Sequence, residues 1–197
     1  MEPLPQEKRF GGEDMDDISY SKAKVIVFGS PFDGTSTWGK GADKGPDAII
    51  EASKNIEMYD EELDNYPKKV GIATVKNVNT EGISVDVMER IYKQSKKLVD
   101  DGKFVVMFGG EHSVSYGLIK AYKEKYPNLS VMQIDAHTDL RDSYHGDIFN
   151  HACIMARVKE MGIPSCQVGI RSISEEEIDK VKKYPNEYNI FFPYISQ

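Results

Sequence analysis

Short apolar runs alternate with helical segments along most of this chain, and this alternation limits the folds that it can adopt. The run at 104–108 predicts a strand, residues 113–126 predict a helix, and the run at 129–134 predicts a second, buried strand. A strand, a helix and a strand in this order form a βαβ unit, whose strands are parallel neighbours joined by a right-handed crossover. The sequence therefore predicts an α/β fold in which both strands end at the same edge of one sheet.

The rest of the chain shows the same alternation of short apolar runs and helical segments. We predict further strands at 24–29, 70–75, 165–170 and 190–192, and further helices at 47–53, 84–99, 151–161 and 175–183. Residues 1–23 are polar and acidic without a clear period, which is typical of an arm, a lid or a disordered segment. Because no linker or internal repeat divides the rest, we predict an N-terminal arm at 1–23 and one α/β domain at 24–197.

Composition excludes several classes of partner. The formal net charge of -7 argues against a nucleic acid held through its phosphates. No apolar run reaches the roughly 18 residues that a membrane span needs, and the N-terminus has no basic-then-apolar signal pattern. Cys153 and Cys166 are too few for a disulfide framework. We therefore expect a cytoplasmic protein that binds neither nucleic acid nor membrane.

A polar cluster, DAHTD at 135–139, directly follows the predicted strand at 129–134. Alternate residues of an extended chain point the same way, so Asp135, His137 and Asp139 can share one side. If the chain were extended, the two aspartates would lie about 13 Å apart, so it must curl for them to share an ion. A single Asp or His here would be read as a helix cap or an incidental residue. Three at this spacing favour a metal site.

His112 is a fourth candidate ligand, since it lies in the segment GGEHS that ends the strand at 104–108. Adjacent parallel strands would place His112 beside the 135–139 cluster, at the edge where open α/β sheets bind ligands. The alternative for His112 is a solvated helix cap after a Gly-Gly turn. The coincidence of two motifs at one edge favours metal.

With GGEHS at 109–113 and DAHTD at 135–139, the chain resembles the ureohydrolase family of arginases and agmatinases. Other segments resemble further motifs of that family: SPFDGT at 30–35, GADKGP at 41–46, HAC at 151–153 and VGIR at 168–171. The resemblance extends from about residue 24 to the last residues. It implies a three-layer αβα fold with a mainly parallel sheet, and a site for two manganese ions.

The resemblance also implies roles for single residues. His112, Asp135 and Asp139 would hold one ion, and Asp135 and His137 would hold the other, with Asp135 bridging. Such carboxylate-rich ligands suit manganese better than copper or a thiolate-seeking ion. His151 resembles the histidine that carries protons in this family; the alternative is a helix-starting residue with a solvated ring.

The implied reaction is the hydrolysis of a guanidino compound with release of urea. Arginases usually hold the substrate carboxylate with an Asn-containing loop, whereas residues 140–146 here read LRDSYHG, which is more similar to agmatinases. We therefore expect the conversion of agmatine to putrescine and urea, a step of polyamine biosynthesis. Another guanidino-acid hydrolase or an arginase remains an alternative.

The sequence departs from the family pattern near its end. The family supplies two more bridging aspartates from an Asp-x-Asp motif on a later strand, and beyond it a carboxylate for the guanidinium group; neither occurs before Gln197. We expect an incomplete domain that lacks its final third and holds at most one manganese ion tightly, and a trimer or hexamer in the complete form. The alternative is a catalytically inactive ureohydrolase-like protein that binds metal or a partner.

Overall fold

A computed structural model describes residues 1–192 of the chain. The strands of this part are β1 (Val25–Ser30), β2 (Ile72–Thr74), β3 (Phe104–Gly109), β4 (Val131–Ile134), β5 (Ser165–Val168) and β6 (Asn189–Phe191). Its α-helices are α1 (Gly45–Ser53), α2 (Ser84–Asp100), α3 (Ser115–Lys125), α4 (Ile154–Glu160) and α5 (Glu175–Lys183). The strands form two parallel sheets, in the orders β2-β1-β3 and β4-β5-β6. The predicted layered α/β architecture is confirmed.

The helices form where local signals predicted them. One face of α2 carries the apolar residues Val87, Ile91 and Leu98 at helical spacing, and all three are fully buried. Helix α5 begins with a capping box, in which Ser174 and Glu177 each bond the other's backbone N–H. None of the helices described in residues 1–192 is both long and apolar enough to cross a membrane.

The predicted pairing of the two central strands is wrong. Strand β3 pairs with β1 and β4 pairs with β5, and the described residues show no pairing between β3 and β4. Helix α3 joins the two sheets instead: Val114 just before it and Ala121 within it belong to the core beneath β1, while Ile119 packs on the core of α4. An apolar run predicts that a strand exists, but non-local packing selects its partner.

Strand β4 is also not the buried strand that its composition predicts. The side chains of Met132 and Ile134 are 68% and 81% exposed, and only Gln133 is buried on this strand. One face of β4 packs through Val131 on the core of α4. Within the described residues no layer covers the opposite face, so the apolar side chains on that face stay in solvent.

These exposed strands lead to a prediction about association. Strands β3 and β4 each have one edge without a partner strand in residues 1–192. The side chains of Phe104 on β3 and of Met132 and Ile134 on β4 are also exposed. We expect the 197-residue chain to self-associate or aggregate as its concentration rises, and Ile134→Lys to reduce this. Light scattering after gel filtration measures it, with Leu63→Lys, at an exposed turn residue, as the control. A monodisperse wild-type chain with cooperative melting at all concentrations would contradict the prediction.

The N-terminal segment packs beside β2 and α1. The backbone N–H of Leu4 donates to the carbonyl of Thr74 at 2.8 Å, and that of Gly11 donates to the Ser53 hydroxyl at 2.9 Å. The side chain of Met15 is buried. The ring of Phe10 lies 6.0 Å from that of Phe108 in β3, between ring centroids. Residues 1–23 therefore have defined contacts with the domain.

Candidate metal centre

Three of the four predicted metal ligands come together at the ends of β3 and β4. The Nδ1 atom of His112 lies 2.7 Å from Oδ2 of Asp139 and 3.6 Å from Oδ2 of Asp135. One ligand atom from each of these residues lies within 4.8 Å of the other two. The strands that precede the motifs are unpaired with each other, yet the motifs still converge. Two carboxylates and one imidazole, held this close, form a donor set that suits a hard divalent ion.

The chain curls between Asp135 and Asp139, as a shared site requires. The side chain of Asp135 accepts a hydrogen bond from the backbone N–H of His137 at 2.8 Å, which turns the chain after β4. Asp139 itself has a φ of 50°, a left-handed conformation that aspartate tolerates better than most residues. Its carbonyl accepts from the backbone N–H of Met155 at 2.9 Å, so the start of α4 fixes the far side of the turn.

The fourth predicted ligand, His137, lies beside this cluster rather than within it. Its Nδ1 is 3.5 Å from Oδ1 of Asp135, and its side chain is largely exposed. Asp135 therefore has His112 near one carboxylate oxygen and His137 near the other. This places Asp135 between the two histidines, where a bridging ligand would be.

The acidic surroundings raise the pKa of His112 above its usual value. Burial by itself lowers that pKa, but the hydrogen bond to Asp139 and the charges of Asp139, Asp135 and Glu111 outweigh it. The raised pKa of His112 reports the negative charge collected at this edge of the fold. The same negative charge would favour a bound cation.

Gly110 allows the GGEHS segment to reach this position. A Cβ atom on Gly110 would overlap the carbonyl group of Phe32, and that carbonyl accepts from the backbone N–H of Glu111 at 2.9 Å. The loop after β1 therefore packs directly against the loop after β3. The buried side chain of Glu111 then accepts from the Thr35 hydroxyl at 2.8 Å and from the backbone N–H of Ser113 at 2.7 Å.

Glu177 is a residue of the site that the sequence analysis missed. Its side chain is 5% exposed, and its Oε1 accepts from the Thr138 hydroxyl at 2.8 Å and from the backbone N–H of Leu140 at 2.7 Å. It thus holds both neighbours of Asp139. The sequence does contain a signal for Glu177, the Ser-x-x-Glu capping box at 174–177, in the loop that follows β5.

Hydrogen bonds lower the pKa of Glu177. Burial raises that pKa, but the side-chain and backbone donors of Ser174, the backbone of Leu140 and the hydroxyl of Thr138 outweigh burial. A carboxylate whose pKa is lowered in the folded state stabilises the fold above its unfolded-state pKa, and this contribution is lost as pH falls through the folded-state pKa.

We expect Glu177→Gln to weaken manganese binding about 10- to 100-fold. An amide has one acceptor oxygen in place of two, so it cannot accept both the bonds from Thr138 and Leu140 and those from Ser174. The thermal stability of the variant should also be lower at pH 7. The difference from wild type should shrink as pH falls below the ordinary value of 4.5, where Glu177 loses its charge-dependent contribution. Titration calorimetry with Mn²⁺ and melting curves at several pH values measure both effects.

Glu175→Gln, at an exposed position of the same helical turn, is the matched control for this prediction. Equal manganese affinities for the two variants would show that Glu177 caps α5 without positioning the turn at Asp139.

His151 lies in the same cavity as the candidate ligands. It begins a short 3₁₀ helix before α4, and its ring faces the loop after β1. The cavity has a volume of about 670 Å³, and its polar lining includes Glu111, His112, Asp135, His137, Asp139, Arg141, Tyr144, His151 and Glu177. A small molecule bound at the metal cluster would therefore be within the space that His151 borders.

Comparison with known proteins gives consistent results. The sequence profile of the Arginase family matches residues 23–190. An N(1)-aminopropylagmatine ureohydrolase from Synechocystis sp. is 38% identical over 172 residues, which cover 84% of this chain and 56% of that protein. An agmatinase from Bacillus anthracis is 34% identical over 168 residues, covering 84% of this chain and 58% of the relative. The chain thus spans little more than half the length of these curated relatives.

Among solved structures, the agmatine ureohydrolase of Thermoplasma volcanium superposes with a TM-score of 0.84 at 29% identity. The alignment covers 94% of this chain and 61% of that one.

Proposed function

Because this chain belongs to the arginase family, we propose that it is the metal-binding part of a manganese-dependent hydrolase of guanidino compounds. The proposed substrate is agmatine, and the products are putrescine and urea. The observation that carries this proposal is the convergence of His112, Asp135 and Asp139 in a cavity that His151 borders.

The donor set fits the proposed metal. His112, Asp135 and Asp139 would hold one manganese ion, and Asp135 and His137 would contribute to a second. Bound divalent ions of this kind lower the pKa of water and stabilise the charge that develops on the group being hydrolysed. Glu177 would keep the turn at Asp139 in its binding geometry.

The remaining chemistry is proton transfer. Hydrolysis adds the oxygen of water to the guanidinium carbon and breaks the bond from that carbon to the chain nitrogen, which leaves as an amine and takes up a proton. His151 is the residue proposed to carry this proton, because histidine suits proton transfer near neutral pH and its ring borders the cavity. It would serve both the water and the leaving amine.

The loop at 140–146 supports agmatine as the substrate. It reads LRDSYHG and lacks the asparagine with which arginases hold the substrate carboxylate. Arg141 of this loop lines the cavity, but its guanidinium lies 3.7 Å from the carboxylate of Glu176. Agmatine has no carboxylate, so it needs no such contact.

A second candidate substrate is N(1)-aminopropylagmatine. The relative from Synechocystis sp. that is 38% identical to this chain acts, by its name, on this longer guanidino compound. The compound carries one more amino group than agmatine and likewise no carboxylate, so the loop at 140–146 is compatible with it on the same grounds.

We expect a form of the chain that includes the Asp-x-Asp motif of the family to turn over agmatine with a kcat/KM about 100-fold above that for arginine. Urea release from agmatine, N(1)-aminopropylagmatine and arginine, measured with Mn²⁺, tests this. Equal turnover of arginine and agmatine would contradict this prediction. If N(1)-aminopropylagmatine were turned over faster than agmatine, it would be the preferred substrate. Retention of manganese with no urea from any of the three would favour the inactive metal-binding alternative.

A further inference from the structure

The hydroxyl group of Thr35 connects the ring of His151 to the carboxylate of Glu111. Thr35 lies in the loop after β1, 116 residues before His151. Its Oγ1 is 2.8 Å from Oε1 of Glu111, 2.9 Å from the backbone nitrogen of His151 and 3.2 Å from Nδ1 of the same histidine. All three partners are therefore within hydrogen-bonding reach of one oxygen atom.

Among these three partners, the hydroxyl of Thr35 can donate its one proton only to Glu111 if Glu111 is ionised. A carboxylate can only accept hydrogen bonds, so Thr35 donates its proton to Glu111. Glu111 is well suited to accept, because it is buried and takes two further donors from Ser113, the backbone N–H at 2.7 Å and the hydroxyl at 2.8 Å. The hydroxyl of Thr35 has no second proton to offer.

The backbone nitrogen and the ring Nδ1 of His151 must then contact the lone pairs of Thr35 Oγ1, as hydrogen-bond donors. A backbone N–H can only donate, so the N–H of His151 occupies one lone pair. The second lone pair faces Nδ1 of the same residue. Two lone pairs cannot form a hydrogen bond with each other, so the ring must carry its proton on Nδ1.

We propose that Thr35, supported by Glu111, is a positioning residue that fixes neutral His151 in the tautomer with its proton on Nδ1. The other ring nitrogen, Nε2, is then unprotonated, and the hydroxyl of Thr37 lies 3.4 Å from it. Both His151 and Thr37 line the cavity of the metal cluster. This inference rests on the proposed function, since it names Nε2 as the atom of His151 that accepts the proton during hydrolysis and returns it to the leaving amine.

The tautomer can be measured directly in the metal-free 197-residue chain with ¹⁵N-labelled histidine. Long-range ¹H–¹⁵N spectra at about pH 8.5, where an ordinary histidine is neutral, distinguish protonated from unprotonated ring nitrogens. The signals of His151 are assigned by their loss in His151→Asn. We expect the Nδ1–H form to exceed the Nε2–H form about tenfold, which is the factor that one hydrogen bond contributes.

Thr35→Val and Thr35→Ser form a matched pair. Valine keeps the shape of threonine and removes the hydroxyl, so His151 should lose its preference for Nδ1–H, while serine should retain it. A wild-type ring protonated on Nε2, or a Thr35→Val variant with an unchanged tautomer, would overturn the inference. The wild-type spectrum can overturn it by itself, even if the valine variant does not fold.

The measurement needs no turnover, which separates this inference from the proposed function. An Nδ1–H tautomer that depends on the Thr35 hydroxyl supports the positioning role, even if no form of the chain releases urea. Urea release with a wild-type tautomer on Nε2 would overturn the inference alone and leave the proposed function standing.

Discussion

The 197-residue chain is expected to retain at most one tightly bound manganese ion and to release no urea from agmatine. Residues 1–192 supply four candidate ligand side chains, His112, Asp135, His137 and Asp139, and only three of them cluster closely. Hard divalent ions of this type favour about six ligands each. Water would have to fill most positions around a second ion, which would therefore bind weakly.

The charges lead to the same expectation. Two manganese ions would bring four positive charges, whereas Asp135 and Asp139 supply two negative ones. Paired ions in hydrolytic sites lie roughly 3.5–4 Å apart, so their repulsion has to be offset by carboxylates between them. Among residues 1–192, Asp135 is the candidate bridging carboxylate, since it faces His112 on one side and His137 on the other. We expect the first ion to bind where His112, Asp135 and Asp139 meet.

Mass spectrometry for metal after gel filtration, and a urea assay with excess Mn²⁺ and agmatine, measure the two outcomes. Asp139→Asn should also weaken binding of the first ion. Loss of an outer-sphere partner weakens metal binding by up to about 100-fold, so the loss of a direct ligand should cost at least about 100-fold in affinity. Asp142→Asn, in the adjacent exposed loop, is the control and should keep the metal. Two retained ions per wild-type chain, or clear turnover, would show that ligands come from elsewhere, such as a neighbouring subunit.

The second large effect concerns His151. In a form of the chain that carries the complete set of ligands, His151→Asn should lower kcat about 100-fold, the usual contribution of a positioned acid–base group. Manganese content should be unchanged, because His151 borders the cavity without approaching the ligand cluster as closely as His112 does. Steady-state kinetics together with metal analysis of the same preparation test both statements.

His145→Asn is the matched control for this variant. His145 is exposed in the same loop region and has a φ of 52°, a conformation that asparagine tolerates well. The control should therefore keep both turnover and stability. Unchanged turnover in His151→Asn would contradict the proton-transfer role and favour the alternative, a helix-starting histidine with a solvated ring.

The local elements of this fold could be predicted from the sequence because their signals are local. Helix α5 has the predicted limits, 175 and 183, since its capping box and its amphipathic period lie within the segment itself. Helix α2 differs from its prediction by one residue at its end. The motifs that contain His112 and Asp135 were also visible, because metal-binding residue types follow directly on apolar runs.

The partner of each strand could not be predicted in this way. The sequence analysis paired β3 with β4, whereas the structure pairs β3 with β1 and β4 with β5. A βαβ pattern specifies the direction of two strands, but it leaves open whether other strands or a gap lie between them. The same uncertainty explains the exposure of Met132 and Ile134, since burial depends on which layer covers the strand.

The sequence by itself thus determined the types of element and the candidate ligands at the ends of strands. The tertiary structure decided how the loops at these strand ends meet: Glu177 fixes the turn at Asp139 from 37 residues beyond Leu140, and Thr35 meets the ring of His151 from 116 residues away. These contacts depend on how separate loops pack, and Gly110 permits one such approach by leaving room for Phe32. No local pattern encodes such distant contacts, because each arises only when the loops at the strand ends are brought together.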